Sequence, residues 1–112
     1  GESISKADIC AGFSEAVNDS LTAKAVQAAL DHDVKTIVVG GGFSANSRLR
    51  ELLTERANAA GVEVRIPPIR FCTDNGAQIA AMGSQLVRNG VEPSTLQFSP
   101  DSQMSLDEMA MA

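Results

Sequence analysis

The sequence predicts an α/β protein whose elements run helix, strand, helix, strand, helix, with the strands parallel. Three observations carry this. An apolar residue recurs every four positions near the start, the spacing of one helix face. Two short β-branched runs lie at 35–40 and 63–66. The segment between them has helical periodicity and ends on a glycine, so the two runs frame a β-α-β unit with a right-handed crossover.

Residues 8–30 read as one long helix, with Ile9, Phe13, Val17, Leu21 and Ala25 on the buried stripe and Ala16, Ala28 and Ala29 widening it. Ser5 or Asp8 caps its start. His32 and Asp33 form the turn after it, with His32 in solvent. The run at 35–40 is continuously apolar, as expected of a parallel strand covered on both faces. The second helix covers 45–60, buries Leu49, Leu52, Leu53, Ala57 and Ala60, and stops at Gly61. The second strand places Val62, Val64 and Ile66 on one face and ends at Pro67-Pro68, because proline cannot donate to a ladder. A loop leads to a third helix over 75–88, whose Ala77, Ala80, Ala81 and Gly83 suit very close packing, and Asn89-Gly90 ends it. Residues 1–90 form the α/β segment. Residues 91–112 read as a tail, with a capping box at Ser105-Leu106-Asp107-Glu108 opening a short helix near 105–110.

This architecture is incomplete by itself. Two strands make a poor free-standing sheet, and the first helix has no preceding strand to pack on. The 112 residues therefore read as a piece of a larger α/β domain, or as a chain that assembles with another copy.

With 9 basic and 14 acidic residues the net charge is −5, which excludes wholesale electrostatic binding to nucleic acid. The stretch from Arg48 to Arg70 departs from that balance, with Arg48, Arg50, Arg56, Arg65 and Arg70 against Glu51, Glu55 and Glu63. It reads either as a solvated helix face or as a local phosphate- or RNA-facing edge. No apolar run approaches the roughly 18 residues of a membrane helix, and no basic-then-apolar leader opens the sequence. The expected compartment is the cytoplasm. Cys10 and Cys72 make no disulfide framework and have no ligand-spaced neighbours, so they read as reduced, partly buried thiols.

Two junctions carry candidate chemistry. In Val38-Val39-Gly40-Gly41-Gly42-Phe43-Ser44-Ala45-Asn46 a strand runs into three glycines and then into a helix. Free N–H groups there suit an anion, and glycine lets a ligand approach the backbone. The pattern is neither a Gly-x-Gly-x-x-Gly nor a Walker loop, so a tight turn and a phosphate cradle both remain open. Asn46 reads as a helix cap or as an amide facing a ligand. The second junction is Cys72-Thr73-Asp74-Asn75-Gly76. Asp74 reads as a helix N-cap or as a carboxylate for a metal ion or nucleotide. Both junctions follow strands, at the sheet edge where α/β proteins bind ligands.

Taken in register, "DICAGFSEAV" (8–17), "VVGGGFSANSRLR" (38–50) and "PPIRFCTDNGAQIAAMG" (67–83) closely resemble the C-terminal part of the tRNA threonylcarbamoyladenosine synthase family, once called O-sialoglycoprotein endopeptidases or glycoproteases. The resemblance implies the actin/Hsp70/sugar-kinase (ribonuclease H-like) fold, of which this chain is a partial lobe. It implies an acyltransferase that moves threonylcarbamoyl from its adenylate to the exocyclic amine of the tRNA adenosine beside the anticodon. On the family pattern Asn46, Gly41 and Gly42 serve the nucleotide, ATP or threonylcarbamoyl-adenylate, and Asp74 ligates one divalent metal ion. That ion is iron by the resemblance, with zinc and magnesium as alternatives. The remaining ligands are two histidines of a His-x-x-x-His helix, which this sequence lacks, so the chain alone is expected to be inactive. Implied partners are tRNA, a paralogous actin-like subunit and a small ATPase; a homo-oligomer of the chain is a further expectation, and a membrane is not.

Phe43 and Gln78 depart from the usual aliphatic residue and methionine, without removing a proposed ligand. A sugar kinase or carbamoyltransferase of the same fold, and a non-catalytic interaction module, are the alternative readings. A protease is not supported, since neither a Ser/His/Asp set nor His-Glu-x-x-His occurs.

Overall fold

The order of elements in the computed structural model is α1 (Lys6–Asp31), β1 (Thr36–Val38), α2 (Ser47–Ala59), β2 (Glu63–Arg65) and α3 (Gly76–Arg88), with single 3₁₀ turns at Gly42–Ala45 and Ile69–Phe71. Described residues are 4–97, 99, 100, 102, 103 and 105. They fall into two compact units, one ending at Asp74 and one beginning at Asn75.

In the first unit, α1 begins with a reciprocal capping box. Asp8 N–H donates to Ser5 Oγ (3.1 Å) and Ser5 N–H to Asp8 Oδ2 (3.2 Å). Its end is a Schellman closure with Asp33 at φ 50°, where Val34 N–H reaches Ala29 O at 2.8 Å. β1 and β2 pair in parallel, with Thr36 opposite Glu63, Ile37 opposite Val64 and Val38 opposite Arg65. α2 closes at Gly61 (φ 70°), with Val62 N–H on Ala57 O at 2.8 Å. Only glycine takes that φ without steric penalty. The core gathers Val26 and Ala29 of α1, Leu53 and Ala57 of α2, and Val62, with Ile37, Val39 and Val64 packed on it. The predicted buried face of α2 is realised by Leu49, Leu52, Leu53 and Ala57, with Ala60 half-buried.

Two expectations about this unit are corrected. The buried stripe of α1 is Asn18, Thr22, Val26 and Ala29. Val17 and Ala25 are only half-buried, while Ile9, Phe13, Ala16, Leu21 and Ala28 are exposed. The packed face is therefore turned by one residue, about 100° around the helix. Polar ties to α2 run along the edge of this face. Arg48 bonds Glu15, and Arg56 bonds Asp19 and Thr22. The burial itself comes from Leu53, Ala57 and Val62, which pack on Val26 and Ala29, whereas Ile9 and Phe13 find no apolar cover among the described residues. β1, in turn, is covered on one side. Ile37 and Val39 pack on the core, whereas Val38 is 76% exposed.

In the second unit, α3 is capped by Asn75, whose Oδ1 accepts from Gln78 N–H at 3.0 Å. Asn89 and Gly90 (φ 73°) stop it, with Val91 N–H on Leu86 O at 3.1 Å. The close packing expected of its small residues is not found among the described residues. Every α3 side chain is exposed, and a Cβ at Gly83 would meet nothing within 4 Å. Apart from Ser105, the proposed box at 105–108 and its helix lie outside the described residues. Among the described residues no helix is long and apolar enough to cross a membrane.

Candidate functional site

The glycine turn leaves the carboxyl end of β1. Val39 N–H still bonds Arg65 O (2.9 Å), and the chain then swings away at Gly41, φ 85°. Gly41 O receives both the N–H (3.0 Å) and the Oγ–H (2.6 Å) of Ser44, closing the 3₁₀ turn. Ser44 itself is buried. The positive φ accounts for Gly41. A Cβ at Gly40 or Gly42 would meet nothing within 4 Å, so packing requires neither glycine. What all three share is an unshielded backbone. Among the described residues the N–H groups of Gly41 and Gly42 have no hydrogen-bond partner.

The α-helix begins two residues later than the sequence predicts, at Ser47. The 3₁₀ turn, which Gly42 opens, lies between Gly41 and the α-helix, so the helix dipole acts at Ser47–Leu49 rather than at the glycines themselves. Asn46 is the N-cap, with Oδ1 accepting from Leu49 N–H at 3.1 Å. The cap uses only the oxygen. The Nδ2 group takes no part in the cap.

Asp74 is exposed and follows the 3₁₀ turn at Ile69–Phe71. Its N-cap reading gives way, because Asn75 performs the capping of α3. Among the described residues no three His, Cys, Asp or Glu side chains gather into a metal-binding group. Asp74 thus offers one hard oxygen donor and is insufficient by itself for an ion.

Arg50 was not singled out by sequence reasoning, though it follows a buried leucine one turn into the helix. It is half-buried. Its Nε donates to Ser44 O (2.6 Å), and its Nη2 to Pro67 O (2.7 Å) and to Cys72 Sγ (3.1 Å). It links the glycine turn to the segment that leads to Asp74.

The remaining arginines favour the structural reading of the 48–70 stretch. Arg48 grips Glu15 with two nitrogens (2.6 and 2.9 Å) and Glu51 with a third at 3.0 Å. Arg65 bonds Glu63 at 2.9 Å, and Arg70 lies over the Phe71 ring, 4.7 Å from its centroid. The Arg48 hydrogen bond holds the Glu15 carboxyl below the usual carboxylate range, and Arg65 does the same for Glu63. Reciprocally, Glu15 raises the Arg48 pKa. Both cysteines are free; Cys72 is buried, but Cys10 is exposed rather than partly buried. His32 is exposed, as expected. An apolar groove of about 340 Å³ beside the turn is lined by Leu21, Ala25, Ile37, Val39, Phe43 and Leu53, among others. Gly40 and Ser44 of the turn also line it, whereas Gly41, Gly42, Asn46 and Asp74 do not.

The sequence profile of the TsaD family, tRNA N6-adenosine threonylcarbamoyltransferase, matches residues 2–81. The chain belongs to this family. The glycine turn, Asn46, Arg50 and Asp74 all fall within the matched segment. A tRNA N6-adenosine threonylcarbamoyltransferase of Tropheryma whipplei (strain Twist) is 58% identical over 104 residues, covering 93% of this chain and 26% of that protein. Those of Corynebacterium aurimucosum and Corynebacterium diphtheriae are 48% and 46% identical over 107 residues, covering 96% of this chain and 31% of each relative. The chain thus spans about a quarter to a third of the length of these curated relatives. None of the matches supports the sugar-kinase, carbamoyltransferase or interaction-module alternatives. Family membership carries the actin-like fold, and the parallel β1–α2–β2 unit fits a part of one lobe.

Proposed function

We propose that this chain forms one wall of the nucleotide site of a tRNA threonylcarbamoyl transferase. The reaction it serves moves threonylcarbamoyl from threonylcarbamoyl-adenylate to the exocyclic amine of the tRNA adenosine beside the anticodon. The carrying observation is the Gly41–Asn46 turn at the carboxyl end of a parallel strand. It presents two N–H groups that have no hydrogen-bond partner among the described residues, beside a capping asparagine whose Nδ2 takes no part in the cap. The family match supports the same reading.

In this reaction the amine nitrogen attacks the threonylcarbamoyl carbonyl carbon. A C–N bond forms, the bond from that carbon to the AMP phosphate oxygen breaks, and AMP leaves with the electron pair. The amine proton must also be removed, and no residue here is assigned to that step. The Gly41 and Gly42 N–H groups bind the phosphate and stabilise the charge it gains as a leaving group. Asn46 Nδ2 orients the nucleoside. Asp74 would contribute a carboxylate ligand to a divalent ion, iron by family resemblance, with further ligands supplied from outside this chain. Such an ion would supply positive charge to offset that of the phosphate group. By the same resemblance the protein acts in the cytoplasm, with tRNA, a paralogous actin-like subunit and a small ATPase as partners. Residues 1–90 form the lobe segment.

The test replaces the matching segment of the Tropheryma whipplei relative with this chain and supplies tRNA and threonylcarbamoyl-adenylate. The chimaera is expected to release AMP and modify tRNA, its Asp74→Asn variant to lose transfer, and the chain alone to show none. Turnover by the isolated chain, or full activity of the Asp74→Asn chimaera, overturns the assignment.

A further inference from the structure

We propose that Arg50 is a positioning residue that latches the glycine turn to the loop leading to Asp74, holding the two in one arrangement for the ligand. The proposal rests on the site reading above and adds to it how the two junctions are kept together.

The argument starts from the partners of the guanidinium. Arg48, Arg56 and Arg65 each pair with a carboxylate. Arg50 donates to two main-chain carbonyls and a thiol: Ser44 O at 2.6 Å, Pro67 O at 2.7 Å and Cys72 Sγ at 3.1 Å. These acceptors come from both site junctions. A half-buried cation held by backbone carbonyls fixes main-chain position, which is what a ligand-binding loop requires.

The bonds form a continuous path. Ser44 Oγ holds Gly41 O at 2.6 Å, and Ser44 O receives Arg50. Arg50 holds Pro67 and Cys72, and Cys72 precedes Asp74 by two residues. The Cys72 thiol also lies 3.8 and 3.6 Å from the carbonyls of Pro67 and Pro68, and the residue is only 3% exposed. Arg50 is itself anchored by the first bond of α2, its N–H to Asn46 O at 3.2 Å. One rigid helical turn therefore carries both the capping amide and the latch. The planar fork matters. A lysine ammonium reaches one carbonyl group but cannot span both loops in fixed geometry.

Cys72 gives the latch its own readout. The experiment uses the full chain with Arg50 intact, Arg50→Met and Arg50→Lys. It measures modification of Cys72 by a thiol reagent, with exposed Cys10 as internal reference, and AMP affinity by NMR titration; circular dichroism checks folding. Arg50→Met is expected to keep its helix content, to label Cys72 about tenfold faster and to bind AMP about tenfold more weakly. Arg50→Lys should fall between, and it decides the question if the methionine variant does not fold. An unchanged Cys72 rate in the folded variants overturns the latch. A faster rate with unchanged AMP affinity overturns the positioning role. If neither the wild-type chain nor the chimaera described above binds AMP, the nucleotide-site reading falls, and the thiol rates alone still decide whether Arg50 ties the two loops.

Discussion

Asn46 does two things that substitution can separate. Its Oδ1 accepts from Leu49 N–H at 3.1 Å and caps α2; on the proposed reading its Nδ2 serves the nucleotide. Asn46→Ala removes both. Losing an N-cap costs about 1 kcal/mol, which in a unit of this size lowers the melting temperature by about 4–8 °C. Asn46→Asp keeps the capping oxygen, and its charge suits a helix N-terminus, so stability should stay within about 0.5 kcal/mol of wild type. It cannot donate, however. One hydrogen bond to a charged ligand is worth about 1.5–3 kcal/mol, so AMP affinity should fall at least tenfold. Asn46→Ser is the neutral control, capping without an amide and without adding charge beside a phosphate. The assays are thermal unfolding by circular dichroism and AMP titration by NMR. An Asn46→Asp variant with wild-type AMP affinity would falsify the ligand role. An Asn46→Ala variant with unchanged melting would show that the cap carries no stability.

Two further outcomes follow from the packing of the first unit. Asn18 is fully buried in α1, and neither amide atom has a partner among the described residues. Each such group costs about 1–3 kcal/mol, so Asn18→Leu should raise the melting temperature, and a lower one would show that the amide is bonded in solution. The carboxyls of Glu15 and Glu63 titrate below their ordinary value of 4.5 in the folded chain, held there by Arg48 and Arg65, and Asp8 below 3.8, held by Ser5. A depressed carboxylate stabilises the fold above its unfolded pKa and loses that contribution as pH falls through the folded value. Melting temperature should therefore be level from neutral pH to about 5 and decline below about 4.5. Glu15→Gln should flatten that decline, and a series in which it leaves the acid limb unchanged removes Glu15 from the account.

What the sequence determined by itself is what neighbouring residues decide. The Ser5–Asp8 box, the buried stripe of α2 and the glycine stops at Gly61 and Gly90 each depend on residues within one or two turns. All were legible, and so were the two junctions that carry Gly41, Gly42, Asn46 and Asp74. Three motifs in register also identified the family, because spacing over some seventy-five residues is far more specific than any one turn.

Tertiary structure decided the rest. Which face of α1 is buried depends on Leu53, Ala57 and Val62, more than twenty residues away. β1 reads as a doubly covered strand, yet only its Ile37 and Val39 side meets helices in this chain. Asp74 and Asn75 are both good caps on paper. Backbone direction at the start of α3 chose Asn75 and left Asp74 as an exposed carboxylate. Arg50 looks like any arginine in an amphipathic helix until folding brings Ser44, Pro67 and Cys72 around its guanidinium. A pattern along the chain specifies periodicity, but the partner of a polar group is fixed only when distant segments close on it.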